Sequence, residues 1–175
     1  DPRNTWVDVD VDLSQDVTLM PGVILQGATT IASGAVIGPD TTLQDVEVGE
    51  NATVIRSHGS FAIIGDGANI GAGTIFANYD GVNKSATHVG NSAFIGSNSV
   101  LVAPVDISDG AFVAAGSAVT DDVPAGGLAV ARGRQRNVDD WVATRRPGSK
   151  AARAAAESDG NVHPAVIESR AKKKE

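Results

Sequence analysis

The chain has 175 residues, a formal net charge of −7 and 20 glycines, while aromatic residues make up only 4% of it. That length suits one domain, or one domain with a tail, and so few rings call for a core of small aliphatic side chains in thin layers. The absence of cysteine excludes disulfides, zinc-thiolate sites and a thiol nucleophile, and no apolar run approaches the roughly 18 residues of a membrane span or the apolar stretch of a signal peptide.

The sequence opens at Asp1 rather than Met, which reads as a piece of a longer polypeptide, and the expected setting is cytoplasmic. Asp8, Asp10 and Asp12 alternate with valines, a pattern that predicts three carboxylates on one face of a strand, where they can collect a cation or keep the first coil from pairing with other chains. From Leu13 a period of six takes over. Apolar residues recur at Leu13, Leu19, Leu25, Ile31, Ile37 and Leu43, resume at Val48, Val54, Ile64, Ile70 and Phe76, and continue through Val89, Ile95, Leu101, Ile107, Val113 and Val119. The residue four further on is small or β-branched except at Glu47, His58 and Asp80, each just before the period breaks, where the chain is expected to leave the wall as a loop.

Neither a helix nor a simple strand has that period. It predicts an all-β parallel β-helix of hexapeptide repeats, in which three hexads close a triangular coil and residues eighteen apart stack about 4.8 Å above one another. The longest break, from Phe76 to Val89, holds Asn78-Tyr79-Asp80-Gly81-Val82-Asn83-Lys84, a run of turn formers and polar groups that a scaffold does not need. From Arg145 onward eight Lys/Arg face four acids, so the body before it carries −11. That acidic body argues against a nucleic-acid groove. The expected organisation is a β-helix over 1–141 and a basic, irregular or partly helical tail over 142–175.

Four strings, Asn69-Ile70-Gly71-Ala72-Gly73-Thr74, Asn78-Tyr79-Asp80-Gly81, Leu101-Val102-Ala103-Pro104-Val105 and Val130-Ala131-Arg132, occur in this order and spacing. Together they resemble the C-terminal acetyltransferase domain of the bacterial bifunctional N-acetylglucosamine-1-phosphate uridyltransferase/glucosamine-1-phosphate acetyltransferase. The resemblance implies a left-handed β-helix, a homotrimer, and acetyl-CoA bound in a cleft between neighbouring subunits. It assigns acetyl-CoA to Ala72, Asn78, Tyr79, Ser97, Ala115 and Arg132, and the sugar phosphate to Asn69, with Lys84 as a cation for an anionic ligand. Small residues leave backbone amides open to the pantetheine arm, and arginine forms charge-assisted bonds to phosphate.

The same resemblance exposes a departure. Family members carry about three further coils between segments like Ile64-Gly65-Asp66-Gly67 and Asn69-Ile70-Gly71, whereas this sequence passes directly from one to the other. Those coils hold the family's Arg-Pro-Gly-Thr segment, its substrate lysine and the histidine that acts as base; Arg146-Pro147-Gly148-Ser149 lies in the tail and does not replace them. No catalytic residue is therefore assigned. The three histidines read as surface or loop residues: His58 in a phase break, His88 pointing outward before Val89, and His163 in the tail. No two of them lie close enough in sequence to form a metal-ligand motif. The expectation is a CoA-binding domain impaired in acetyl transfer, with a non-catalytic trimeric scaffold as the alternative.

Overall fold

A hexad puts one large apolar side chain inward at the middle of a side and one small residue inward at the corner, so repetition closes a prism. In the computed structural model, which describes residues 1–158 and 160–172, residues 1–133 form such a parallel β-helix. Trp6 pairs with Ile24 and Ile24 with Thr42 on the first face, Asp12 with Thr30 on the second, and Thr18 with Val36 on the third, each eighteen residues apart. All strand pairings are parallel, and the third face forms a sheet of its own.

The inward ladder is the core. Leu25, Ile37, Leu43, Ile70, Ile95, Leu101 and Ile107 are fully buried, whereas Leu13, in the first coil, is 39% exposed because it has a stacked coil on one side only. Each fully buried aliphatic side chain contributes about 1.5 to 3 kcal/mol before ordering entropy is subtracted. At the corner between the third and first faces the small positions after Val23 carry hydroxyls. Thr74 Oγ1 donates to the Gly71 carbonyl, Ser99 Oγ to Gly96 and Ser117 Oγ to Ala114, each at 2.6 Å. A hydroxyl is tolerated there because the turn itself supplies the acceptor.

Two of the three expected loops do not form. At Glu47 and His58 the chain stays in the wall, within the strands Thr42–Val48 and His58–Ile64, which run around the corner from the first face to the second and pair along their length. Each makes the corner with a five-residue side. Asp45 and Phe61, stacked one coil apart, bend it locally by adopting left-handed φ angles of 53° and 54°. The inward position that the six-residue count misses is Gly59, paired with Leu43. A Cβ there would meet Leu43 Cδ2 and Phe76 Cδ2, both at 3.2 Å. The glycine leaves room for Phe76, whose side chain is the bulkiest of the inward ladder and 2% exposed.

The third break is a true excursion. Ile75 pairs with Val100 and Ile63 with His88, twenty-five residues apart, so this coil carries seven residues beyond the usual eighteen. The segment 134–175 is a separate compact unit with helices Trp141–Arg145, Lys150–Glu157 and Pro164–Lys172. Ser149 caps the second of these, its Oγ accepting from Ala152 N at 3.1 Å.

Gly59→Val should destabilise the β-helix by about 1 to 3 kcal/mol through overpacking. Combining it with Phe76→Leu should recover part of that loss, a coupling that denaturant titration of the two single variants and the double variant would detect. Strictly additive effects would contradict the packing described.

Candidate functional site

The corner between the third and first faces forms a continuous outer edge. Gly96 precedes Ser97 on it, and a Cβ at Gly96 would lie 2.4 Å from Ala115 N, so successive turns stack backbone on backbone there. Ala72, Ser97 and Ala115 fall one above another along this edge. Asn98 N donates to the Ala72 carbonyl (2.9 Å) and Gly116 N to the Ser97 carbonyl (2.9 Å). The column ends at Arg132, whose Nη1 donates to the Ala115 carbonyl at 2.8 Å and whose guanidinium carries further N–H donors. Ser97, Ala115 and Arg132 are exposed and Ala72 is half-buried. Asn69 stands three residues before Ala72 on the third face, half-buried between Thr53 and Phe94.

The other predicted residues lie across the first face. After the strand Ile75–Ala77 the chain leaves the wall as a short hairpin in which Tyr79 and Lys84 pair and Ser85 N closes the base on the Asn78 carbonyl at 2.8 Å. Asp80 Oδ1 accepts from Val82 N (2.8 Å) and Asn83 N (2.6 Å), and these backbone donors hold its carboxyl below the usual aspartate range. Tyr79 Oη donates to the Gly81 carbonyl at 2.7 Å, so the hairpin is ordered by its own bonds. Tyr79 and Lys84 are exposed. One protomer therefore brings Ala72, Ser97, Ala115 and Arg132 together on one edge, with Asn69 on the adjoining third face, and Asn78, Tyr79 and Lys84 on another edge. The strand Ile75–Ala77 separates the two groups.

The histidines differ in their surroundings. His58 points outward between Thr42 and Ile75 and has no hydrogen-bonded or ionic partner among the described residues. His163 Nδ1 accepts from Ala165 N at 3.2 Å. His88 is outward, as its place before Val89 predicts, but it is not alone: Nδ1 lies 2.5 Å from Asp106 Oδ1, one coil above. Asp106 Oδ2 accepts from Ser108 Oγ (2.9 Å), and Asp106 N donates to Asp122 Oδ1 (2.8 Å). The hydrogen bond with His88, and then the one from Ser108, hold the Asp106 carboxyl below the ordinary aspartate range. Sequence reading missed this pair, although the eighteen-residue separation of His88 and Asp106 was the signal that could have found it.

Residues 87–121 match the family model described as a hexapeptide repeat of succinyl-transferase. The bifunctional protein GlmU of Kineococcus radiotolerans is 41% identical over 207 residues, covering 89% of this chain and 42% of that protein. That of Rhodococcus jostii is 43% identical over 208 residues, with the same coverage. The chain is a hexapeptide-repeat protein that matches the C-terminal part of the GlmU proteins. It spans well under half the length of these GlmU relatives. In the Kineococcus comparison, 89% of 175 residues is about 156, against 207 aligned positions, so about 50 positions of that GlmU have no counterpart here. That deficit is close to three coils of eighteen. Among solved structures, a hexapeptide transferase family protein from Anaplasma phagocytophilum aligns with a TM-score of 0.47 and 21% identity, covering 68% of this chain and 74% of that one.

The Asp106 carboxyl should titrate below the aspartate range when followed by NMR, and His88→Gln should move it upward. Because its folded-state value is depressed, the stability it contributes is present above the unfolded aspartate value and is lost as pH falls through the folded one. An unchanged Asp106 titration in His88→Gln would contradict the pairing.

Proposed function

We propose that this chain is a trimeric acetyl-CoA-binding domain related to the glucosamine-1-phosphate acetyltransferase of UDP-N-acetylglucosamine biosynthesis, with acetyl transfer strongly impaired. The observation that carries the reading is the continuous edge of Ala72, Ser97, Ala115 and Arg132, retained in a chain that lacks about 50 positions of its GlmU relatives. The edge offers exposed backbone, a hydroxyl and a guanidinium in line, which suits a pantetheine arm leading to a phosphate. The hairpin with Asn78, Tyr79 and Lys84 lies across the first face of the same protomer. A cleft between two copies lets the edge of one face the hairpin of the next, which gives the trimer a chemical purpose.

The missing positions account for the impairment. In the family that the sequence resembles, the absent coils supply the base histidine and residues that orient the sugar phosphate. A positioned base contributes about 10²- to 10⁴-fold, and loss of orienting residues removes part of the proximity term as well. Binding and catalysis therefore separate in this chain. The scaffold alternative shares the fold and the trimer but has no acyl transfer at all, so release of free thiol from acetyl-CoA discriminates between them.

Mass measurement in solution at micromolar concentration should give three chains; a clean monomer would defeat both the trimer and the cleft. Calorimetry should detect CoA binding, and Arg132→Ala should weaken it by about 1.5 to 3 kcal/mol. Arg132 is exposed, so the variant should unfold at the wild-type temperature. Equal CoA affinity in the two proteins would remove Arg132 from the site.

A further inference from the structure

The second face carries an outward column of Glu47, Ile63, His88 and Asp106, each one coil above the last. His88 is the one histidine among the described residues with a carboxylate on a ring nitrogen. That carboxylate is fixed at both oxygens, by His88 on Oδ1 and Ser108 on Oδ2, and its backbone is tied to Asp122 in the next turn. A carboxylate on Nδ1 selects the imidazole tautomer whose Nε2 carries a lone pair, and it stabilises the imidazolium formed when Nε2 takes a proton. Among the described residues His88 Nε2 has no hydrogen-bond partner, and the side chains of both residues are about half exposed, which leaves the imidazole accessible to an incoming group.

The position is equally specific. The hairpin closes where Ser85 N meets the Asn78 carbonyl, and His88 follows three residues later. Three extended residues span at most about 10 Å, so His88 stands within that distance of the hairpin base. It thus re-enters the wall directly after the hairpin that carries Asn78 and Tyr79, residues of the candidate acetyl-CoA site. His58 occupies a wall position with no carboxylate, and His163 lies in the separate C-terminal unit.

We propose that His88 is the proton acceptor for the residual acyl transfer from CoA to a primary amine in this chain, with Asp106 as its positioning residue. The inference rests on the reading of the chain as an acetyl-CoA-binding domain. In the step, the amine nitrogen bonds to the thioester carbonyl carbon while Nε2 takes the proton that the nitrogen gives up. The carbon–sulfur bond then breaks, and Nε2 returns the proton to the departing thiolate. The products are an amide and free CoA thiol.

The test follows thiol release from acetyl-CoA with glucosamine-1-phosphate, at high concentration of the full chain, alongside CoA calorimetry and circular dichroism on every variant. His88→Gln should lower turnover by about 100-fold with CoA affinity unchanged. Asp106→Asn should lower kcat while KM for the amine is kept, and Asp106→Glu should restore part of the loss, which a merely structural tie between coils would not produce. His58→Gln should leave turnover as it was. If CoA binds but His88→Gln turns over as the wild type does, or the wild type releases no thiol above the rate without protein, the assignment of His88 is wrong and the binding reading stands. If CoA does not bind, the binding reading falls and the assignment with it. Should His88→Gln misfold, the Asp106 pair decides: equal turnover in Asp106→Asn and wild type would overturn the proposal.

Discussion

Every feature of the prism depends on axial stacking. One inward aliphatic side chain sits on its counterpart one coil below, and parallel backbone hydrogen bonds fix the spacing at about 4.8 Å. A coil placed out of phase would turn its inward residues to solvent, so changes in chain length must occur in whole coils or be absorbed locally. Both solutions occur here. The corners at Asp45 and Phe61 absorb five-residue sides with left-handed backbone, and the excursion at Asn78–Lys84 leaves the wall and rejoins it in register at Val89. The loss of about 50 positions relative to GlmU from Kineococcus, close to three coils, is the same rule applied to the whole prism.

This modularity also divides the proposed function. The proposed CoA edge is assembled from residues stacked in successive coils near the C-terminal end of the prism, so on this proposal it persists when coils elsewhere are absent, whereas chemistry that depends on the absent coils does not. What remains on the second face is the His88–Asp106 pair, built from two coils that are both present. On these proposals, stacking preserves a binding edge and offers a substitute for part of the missing acid–base machinery.

Much of this was legible in the sequence because inward positions repeat with a fixed chemistry. Ladder members such as Leu25, Ile70, Ile95 and Leu101 are buried as their spacing predicts, and the hairpin from Asn78 emerges where turn-forming residues replace the hexad. Gly59 was hidden because glycine at an inward site carries no apolar signal; the close approach of Leu43 and Phe76 explains it. Glu47 and His58 looked like loop residues because a charged or polar residue stands where a small one is usual, yet the five-residue side turns each of them outward within a strand. Outward partnerships such as His88 with Asp106 leave no periodic trace and appear only when residues eighteen apart are considered together.

The central claim is that the binding edge survives while the means of fast acetyl transfer were lost with the coils. It is tested most directly by inserting the corresponding coils of a GlmU relative between Gly67 and Asn69 and comparing thiol release with that of the present chain. The account predicts a rise of at least about 100-fold in turnover, with CoA affinity essentially unchanged. Equal turnover in the two proteins would contradict it.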